Sequence, residues 1–190
     1  PWRATSDDRA APSAPVLYLL CAKQMTQVRP LQVSGSWDKL AEKARTIATS
    51  KATSEYFKPL QYGAGVKNGL EMVIKAAQAH ILWKPKHGKS KADGGNAYGR
   101  ASRKKMAEGL LTAKLQPLLG YFLAGHVGRQ PVYVDGVGPA VQYSKTGSRQ
   151  GGCAEGIYFA IGLQSMLVEI QEAFPLLRVA AIWDLSLIHI

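Results

Sequence analysis

The chain has 190 residues, enough for one ordinary domain. With 46% hydrophobic and 19% charged residues it can bury a core, which excludes disorder throughout. Lys and Arg number 24 against 13 Asp and Glu, a net charge of +11 and a pI near 9.8, which favours a polyanionic partner. Two cysteines, Cys21 and Cys153, exclude a disulfide framework and a four-thiolate zinc site, and no apolar run reaches the ~20 residues of a membrane span.

Residues 1–14, rich in Pro, Ala, Ser and Asp, predict a disordered lead-in. The apolar run 16–21 reads as a strand, since it lacks the basic flank and cleavage site of a signal peptide, and a second short run follows at 30–33. Ser36 is placed to cap a helix whose apolar face is Trp37, Leu40, Ala41, Ala44 and Ile47, and the Ser/Thr-rich stretch 46–54 is expected to end it. Gly63, Gly65 and Gly69 punctuate a loop, and Asn68 opens an amphipathic helix with Leu70, Val73, Ile74, Ala77 and Ile81 as its buried stripe. The most basic part of the chain comes next: Lys84, Lys86, Lys89, Lys91, Arg100, Arg103, Lys104 and Lys105 stand against a single acid, Asp93. Ser102 caps a helix carrying Met106, Leu110 and Leu111 that is expected to end near Pro117. Residues 132–134 and 140–143, joined through Asp135-Gly136, read as a hairpin, 157–170 as a long apolar helix and 177–183 as a buried strand. There are no internal repeats, and irregular alternation of helix and strand points to the α+β class. Both ends are expected to be cut, because the chain starts at Pro1 and stops at Ile190 inside an apolar stretch. Residues 185–190 resemble translated sequencing adaptor, predict a non-native tail, and are set aside from the fold reading.

Three constellations carry chemistry. In Asp93-Gly-Gly-Asn-Ala-Tyr98 the bland reading is a turn. Its basic surroundings, with an aromatic five residues after the carboxylate, suit a metal ion that neutralises phosphate beside a sugar. Ser144-Lys-Thr-Gly-Ser-Arg-Gln-Gly151 is on its face a Gly-rich loop before a helix. Four fixed residues at its spacing nevertheless arise by chance with a frequency of only roughly 10⁻⁵ per start position. In Arg178-Val-Ala-Ala-Ile-Trp-Asp184 a carboxylate ends a buried strand, either to start a turn or to meet a charge partner or metal. Among the other residues, His80 and His87 lack a third ligand nearby. Cys153 reads as a small buried hydrophobe, and Trp37, Trp83 and Trp183 as core or interface aromatics.

Taken in order, these blocks resemble the palm of a reverse transcriptase: Asp93 with Ala97-Tyr98, then Ser144, Gly147 and Gln150-Gly151, then Ile182-Trp183-Asp184. Upstream, Lys23, Arg29-Pro-Leu-Gln-Val33 and the helix to Arg45 look like the family's fingers pattern. Phe57-Lys-Pro-Leu-Gln-Tyr-Gly-Ala-Gly-Val66 with Gly69-Leu-Glu71 is similar to the segment preceding the first Asp in non-LTR retrotransposon-type members. The resemblance implies a right-hand polymerase fragment with fingers over 15–90 and palm over 91–184, an antiparallel palm sheet backed by helices, and no thumb. It implies a fragment of a protein that, when whole, is an RNA-directed DNA polymerase working on an RNA template, a DNA primer and deoxynucleoside triphosphates, inside the cell in nucleus or cytoplasm, with no membrane partner.

By the same resemblance Asp93 and Asp184 hold Mg²⁺ or Mn²⁺. Arg29 and Lys23 grip the triphosphate, Tyr98 is the steric gate beneath the sugar, and Gln150 and Gly151 touch the incoming nucleotide and template base. Lys84, Lys86, Lys104 and Lys105 meet backbone phosphates. Three positions depart from the family pattern. Residues 87–91, His-Gly-Lys-Ser-Lys, predict a poor buried strand, Gly152-Cys153 stands where Asp-Pro is usual, and Leu185 takes the second place of the tandem Asp. Two other readings stay open, a decayed remnant that binds nucleic acid by charge alone and a basic structural or ribosome-associated protein.

Overall fold

A computed structural model of the chain describes residues 17–22, 28–33, 35–87, 89–93, 97–128, 130–134, 142–149, 151–182 and 185–189. Side chains are described over 35–87, 97–128, 143–149 and 151–182. The expected lead-in, the Asp135-Gly136 turn and Trp183 lie outside these residues.

The apolar runs at the start form β1 (Leu17–Ala22) and β2 (Val28–Val33), an antiparallel pair in register from Leu17 opposite Val33 to Ala22 opposite Val28. β4 (Gln130–Val134) joins β1 in parallel and β5 (Gln142–Ser144) pairs antiparallel with β4, giving the sheet order β2-β1-β4-β5. A second, antiparallel sheet has the order β3-β7-β6, from β3 (Lys89–Asp93), β7 (Leu185–His189) and β6 (Arg178–Ile182). One expectation changes here. The polar run before Asp93 does form a strand, because a ladder needs only backbone donors and acceptors and β3 lies at the edge of this sheet. The tail set aside from the fold reading supplies β7, the central strand between β3 and β6.

The helices are α1 (Ser36–Phe57), α2 (Gly69–Trp83), α3 (Ala97–Arg100), α4 (Arg103–Thr112), α5 (Gln116–His126) and α6 (Glu155–Ala173). The main core lies between α4, α5 and α6, with the end of α1. Phe57, Met106, Leu110, Leu115, Leu118, Phe122, Tyr158 and Ile161 are all buried in it. Gly109 and Gly162 let α4 and α6 approach closely, since a Cβ at Gly109 would meet Ile161 and one at Gly162 would lie 3.0 Å from Met106 Cγ. A smaller cluster, Leu60, Leu167, Val179 and Ala181, seats β6 on α6.

The segment between α1 and α2 is tied to β6 and α6. Tyr62 N–H donates to the Ala181 carbonyl at 2.9 Å and Ala181 N–H to that of Leu60 at 2.7 Å. Gln61 Nε2, buried, donates to the Ala160 carbonyl at 2.6 Å and to Gln164 Oε1 at 2.7 Å. Helices and mainly antiparallel strands make this an α+β chain, as expected.

The helical expectations are corrected at several points. α1 runs through the Ser/Thr-rich stretch to Phe57, because Thr49 turns its hydroxyl back to the Arg45 carbonyl at 2.8 Å and no longer competes with the helix. Ser36 is its first residue instead of its cap, and its expected apolar face looks outward: Trp37 is 83% exposed and Leu40, Ala44 and Ile47 are exposed with it. α2 buries Val73 but leaves Leu70, Ile74 and Ile81 exposed, and Trp83 at its end is 82% exposed. α4 stops at Thr112, and Pro117 opens α5, a helix that the sequence pattern does not announce. Ser102 does cap α4, its Oγ accepting from Lys105 N–H at 3.3 Å, although Leu111 is exposed.

Candidate functional site

Asp93 is the last residue of β3, and its backbone pairs with that of Leu185, the residue after Asp184 in the chain. Ile182 pairs with the same Leu185 across β6 and β7, so only residues 183 and 184 separate the two strands. The backbone register thus brings the Asp93 position, ninety-two residues away in sequence (185 − 93), opposite the neighbour of Asp184. Asp184 itself and the Asp93 side chain lie outside the described residues.

The Gly-rich loop docks on the segment that follows Asp93. Gly147 N–H donates to the Ala101 carbonyl at 3.0 Å, Ser148 N–H to that of Tyr98 at 2.9 Å, and Thr146 Oγ1 to that of Gly99 at 3.0 Å. Gly147 has φ +74°, and a Cβ there would collide with the Tyr98 carbonyl oxygen and lie 2.6 Å from the Gly99 carbonyl carbon. Only glycine meets both demands. Arg103, the first residue of α4, wraps the same loop. Its Nε donates to the Gly147 carbonyl at 2.8 Å, Nη1 to that of His126 at 3.0 Å, and Nη2 to Ser144 Oγ at 2.9 Å and the Thr146 carbonyl at 3.2 Å. Tyr98 is half-buried and stacks on Phe159 of α6, ring centroids 4.7 Å apart.

Beneath the loop lies a buried polar cluster. Glu155, the first residue of α6, is 1% exposed; its Oε2 accepts from Arg149 N–H at 2.8 Å and lies 3.2 Å from His126 Nε2. Glu42 of α1, also 1% exposed, accepts from Cys153 N–H at 2.7 Å. Burial, then the charge of Glu155, raises the Glu42 carboxyl above the ordinary carboxylate range, against the opposing pull of the Cys153 amide and Arg149. Burial, reinforced by Glu42, pushes Tyr121 up to about 12, and burial with Glu155 and Glu42 raises Tyr158. Arg149 Nη2 donates to the Gly125 carbonyl.

No family model and no curated protein matches the chain. Solved structures do. Apo telomerase from Candida tropicalis truncated from the C-terminal domain superposes with a TM-score of 0.63 at 12% identity, over 93% of this chain and 44% of that one. Apo telomerase from the same organism gives 0.63 at 12%, over 98% and 40%. The fold is similar to that of telomerase. The chain spans less than half the length of either telomerase chain.

Within this telomerase-like fold the two loop motifs meet, Tyr98 against the Ser144–Gly147 turn. Gly151 is exposed, four residues beyond Gly147. Arg29 of β2 is placed only by its backbone, opposite Cys21 of β1, while Lys23 and Gln150 lie outside the described residues. Lys84, Lys86, Lys104 and Lys105 are exposed, Lys104 in a loose pair with Glu108 at 3.8 Å. His80 and His87 rings sit 5.2 Å apart, and no group of three metal-ligating side chains occurs among the described residues. Nor is any described helix long and apolar enough to cross a membrane. Cys153, read as a buried hydrophobe, is exposed, since its amide is held from beneath and its thiol is left outward; Trp37 and Trp83 are likewise not core. Sequence reasoning missed Glu42, His126 and Glu155 and counted Arg103 only as charge. Glu155 alone left a trace, an acid at a helix start directly after the Gly-rich loop.

Proposed function

We propose that the chain is the fingers-and-palm part of a retroelement reverse transcriptase, an RNA-directed DNA polymerase acting on an RNA template, a DNA primer and deoxynucleoside triphosphates. The observation that carries this reading is the pairing of Asp93 with Leu185, which sets the backbone of the first acid of the motif series opposite the residue that follows the last acid in the chain. The telomerase-like fold supports it, telomerase being a reverse transcriptase. Carboxylates are hard oxygen donors of the kind that fits Mg²⁺ or Mn²⁺, and Asp93 and Asp184 are the residues that would hold the ions. When bound, such ions supply activation of the primer 3′-hydroxyl and neutralisation of triphosphate charge.

This chain's own residues would bind and orient. Arg29 and Lys23 donate charge-assisted hydrogen bonds to the triphosphate. Tyr98, held by its stack on Phe159, presents an aromatic wall to the sugar, and the Gly-rich loop backs the base. Lys84, Lys86, Lys104 and Lys105 meet the phosphate backbone without reading sequence. A second reading, a non-catalytic nucleic-acid binder, is favoured by Leu185 in the second place of the tandem.

The test is primer extension on an RNA template by this chain with Mg²⁺ or Mn²⁺, alongside Asp93→Asn and Tyr98→Ala. Expected are extension by the parent, its loss in Asp93→Asn, and easier ribonucleotide use in Tyr98→Ala. Binding of primer–template without any extension would leave the second reading standing.

A further inference from the structure

Glu42 and Glu155 come to one spot from two elements 113 residues apart in sequence (155 − 42), and each spends its Oε2 on a backbone amide of the same loop. The amides are those of Arg149 and Cys153, which bracket residues 150–152. A Cβ at Gly152 would lie 2.6 Å from Glu155 Cγ and 3.1 Å from Glu42 Oε2, so the two carboxyl groups press against the loop backbone and leave no room for a side chain there. Both glutamates are almost wholly buried, and Glu155 Oε1 has no hydrogen-bond partner among the described residues. A buried carboxylate is costly unless something holds it in place.

We propose that Glu42 and Glu155 are positioning residues, a buried pair that clamps the Gly151–Gly152 segment from beneath through the amides of Arg149 and Cys153. That this segment touches nucleotide rests on the proposed function; the clamp does not. The ionisable groups around it are Asp38 and Arg45 on α1, Tyr121 and His126 on α5, Arg149 and the Cys153 thiol on the loop, and Glu155 and Tyr158 on α6. An ionised carboxylate is the stronger acceptor, so the hold on Cys153 tightens as Glu42 loses its proton. Burial and the neighbouring Glu155 put that loss above the ordinary carboxylate range.

The test is a pH series of ¹H–¹⁵N spectra on this chain, following the Arg149 and Cys153 amides. The Cys153 amide proton is expected to move downfield with rising pH, with a midpoint above the ordinary glutamate value of about 4.3. Glu42→Gln, which keeps an acceptor oxygen, should retain the folded spectrum and abolish this titration, whereas Glu42→Ala should also release the amide to fast hydrogen exchange. Glu155→Gln should lower the Cys153 midpoint, because it removes a neighbouring charge. A Cys153 amide that does not titrate, or one that titrates alike in parent and Glu42→Gln, overturns the clamp. Deoxynucleoside triphosphate is added in a second series. Titrating amides that ignore the nucleotide would sink the polymerase reading and leave the clamp.

Discussion

α1 and α4 carry the same kind of apolar stripe and meet opposite fates. α4 buries Met106 and Leu110 completely against α6. α1 turns Trp37, Leu40 and Ile47 outward and buries Glu42, Thr49, Thr53 and Phe57. The difference lies in what each helix meets. α4 faces the smooth apolar side of α6, opened by Gly109 and Gly162, while α1 faces a loop whose amides need acceptors and a helix, α5, that offers Tyr121. Arg45 lies over the Tyr121 ring at 4.9 Å, and Tyr121 Oη donates to the Asp38 carbonyl at 3.4 Å. Periodicity says that a segment is a helix; the partner decides which side goes in.

The sharpest way to break this comparison uses α1 alone. Phe57→Ala should cost about 3–5 kcal/mol, the range for emptying a buried aromatic site. Trp37→Ser, on the same helix and also an aromatic, should change stability by no more than about 0.5 kcal/mol. Urea denaturation of both variants decides it. Comparable losses would mean that the outward face of α1 is covered in solution.

Next in size is a pair of glycines. Gly147 and Gly128 both have positive φ, +74° and +84°, but a Cβ at Gly128 would meet nothing within 4 Å. Gly128→Ala should therefore cost only the backbone term, about 1–2 kcal/mol. Gly147→Ala should cost about 2–5 kcal/mol, because collision with the Tyr98–Gly99 backbone is added. Equal costs in melts of the two variants would show that the loop does not dock as described.

Much of this was legible in the sequence, and the failures have physical reasons. α6 and β6 were readable because their apolar runs are buried where they stand. α5 was missed because Pro117 reads as a helix end, although a proline in the first helical turn gives up no hydrogen bond. β3 looks poor on propensity, yet its ladder with β7 is a backbone matter. The motif residues Tyr98, Ser144 and Gly147 were visible at fixed spacing. The groups that hold them were not, since Glu42 reaches Cys153 across 111 residues and Arg103 reaches Gly147 across 44.

The pH dependence of stability sharpens the contrast between the two helices further. With its folded pKa raised, Glu42 binds a proton more tightly in the native state than in the unfolded one. The native state then gains relative stability below the unfolded value of about 4.3, and loses it as pH rises through the raised value. Glu42→Gln should remove this fall, seen as a shallower decline of melting temperature with pH, an effect that α4, whose buried residues are Met106 and Leu110, does not produce. A profile for Glu42→Gln that parallels the parent would mean that the carboxyl is not desolvated.

The smallest effect on stability is expected at Lys104 and Lys105. Lys104 is 85% exposed, and its 3.8 Å pair with Glu108 is a solvated i,i+4 contact of the kind that contributes about 0.3–0.5 kcal/mol. Lys105 enters the fold through its backbone amide at the Ser102 cap, which any residue but proline provides. Replacing both by Gln should therefore leave the melting temperature nearly in place. Binding to primer–template should change much more. If both side chains meet phosphates, the slope of log K against log salt should flatten by roughly 0.9 for each duplex phosphate left without its lysine, while the indifference to sequence persists. The arrangement of α4 makes this a fair test. Its buried side holds Met106 and Leu110 in the core, so the lysines have no second task inside the molecule. Arg103 is the internal control: it fans its guanidinium over the Ser144–Gly147 turn, so Arg103→Gln should lower stability by loosening that loop. An unchanged salt slope in the double lysine variant, with a normal melt, would place that face of α4 away from the nucleic acid and move the phosphate contacts to Lys84 and Lys86 beyond α2.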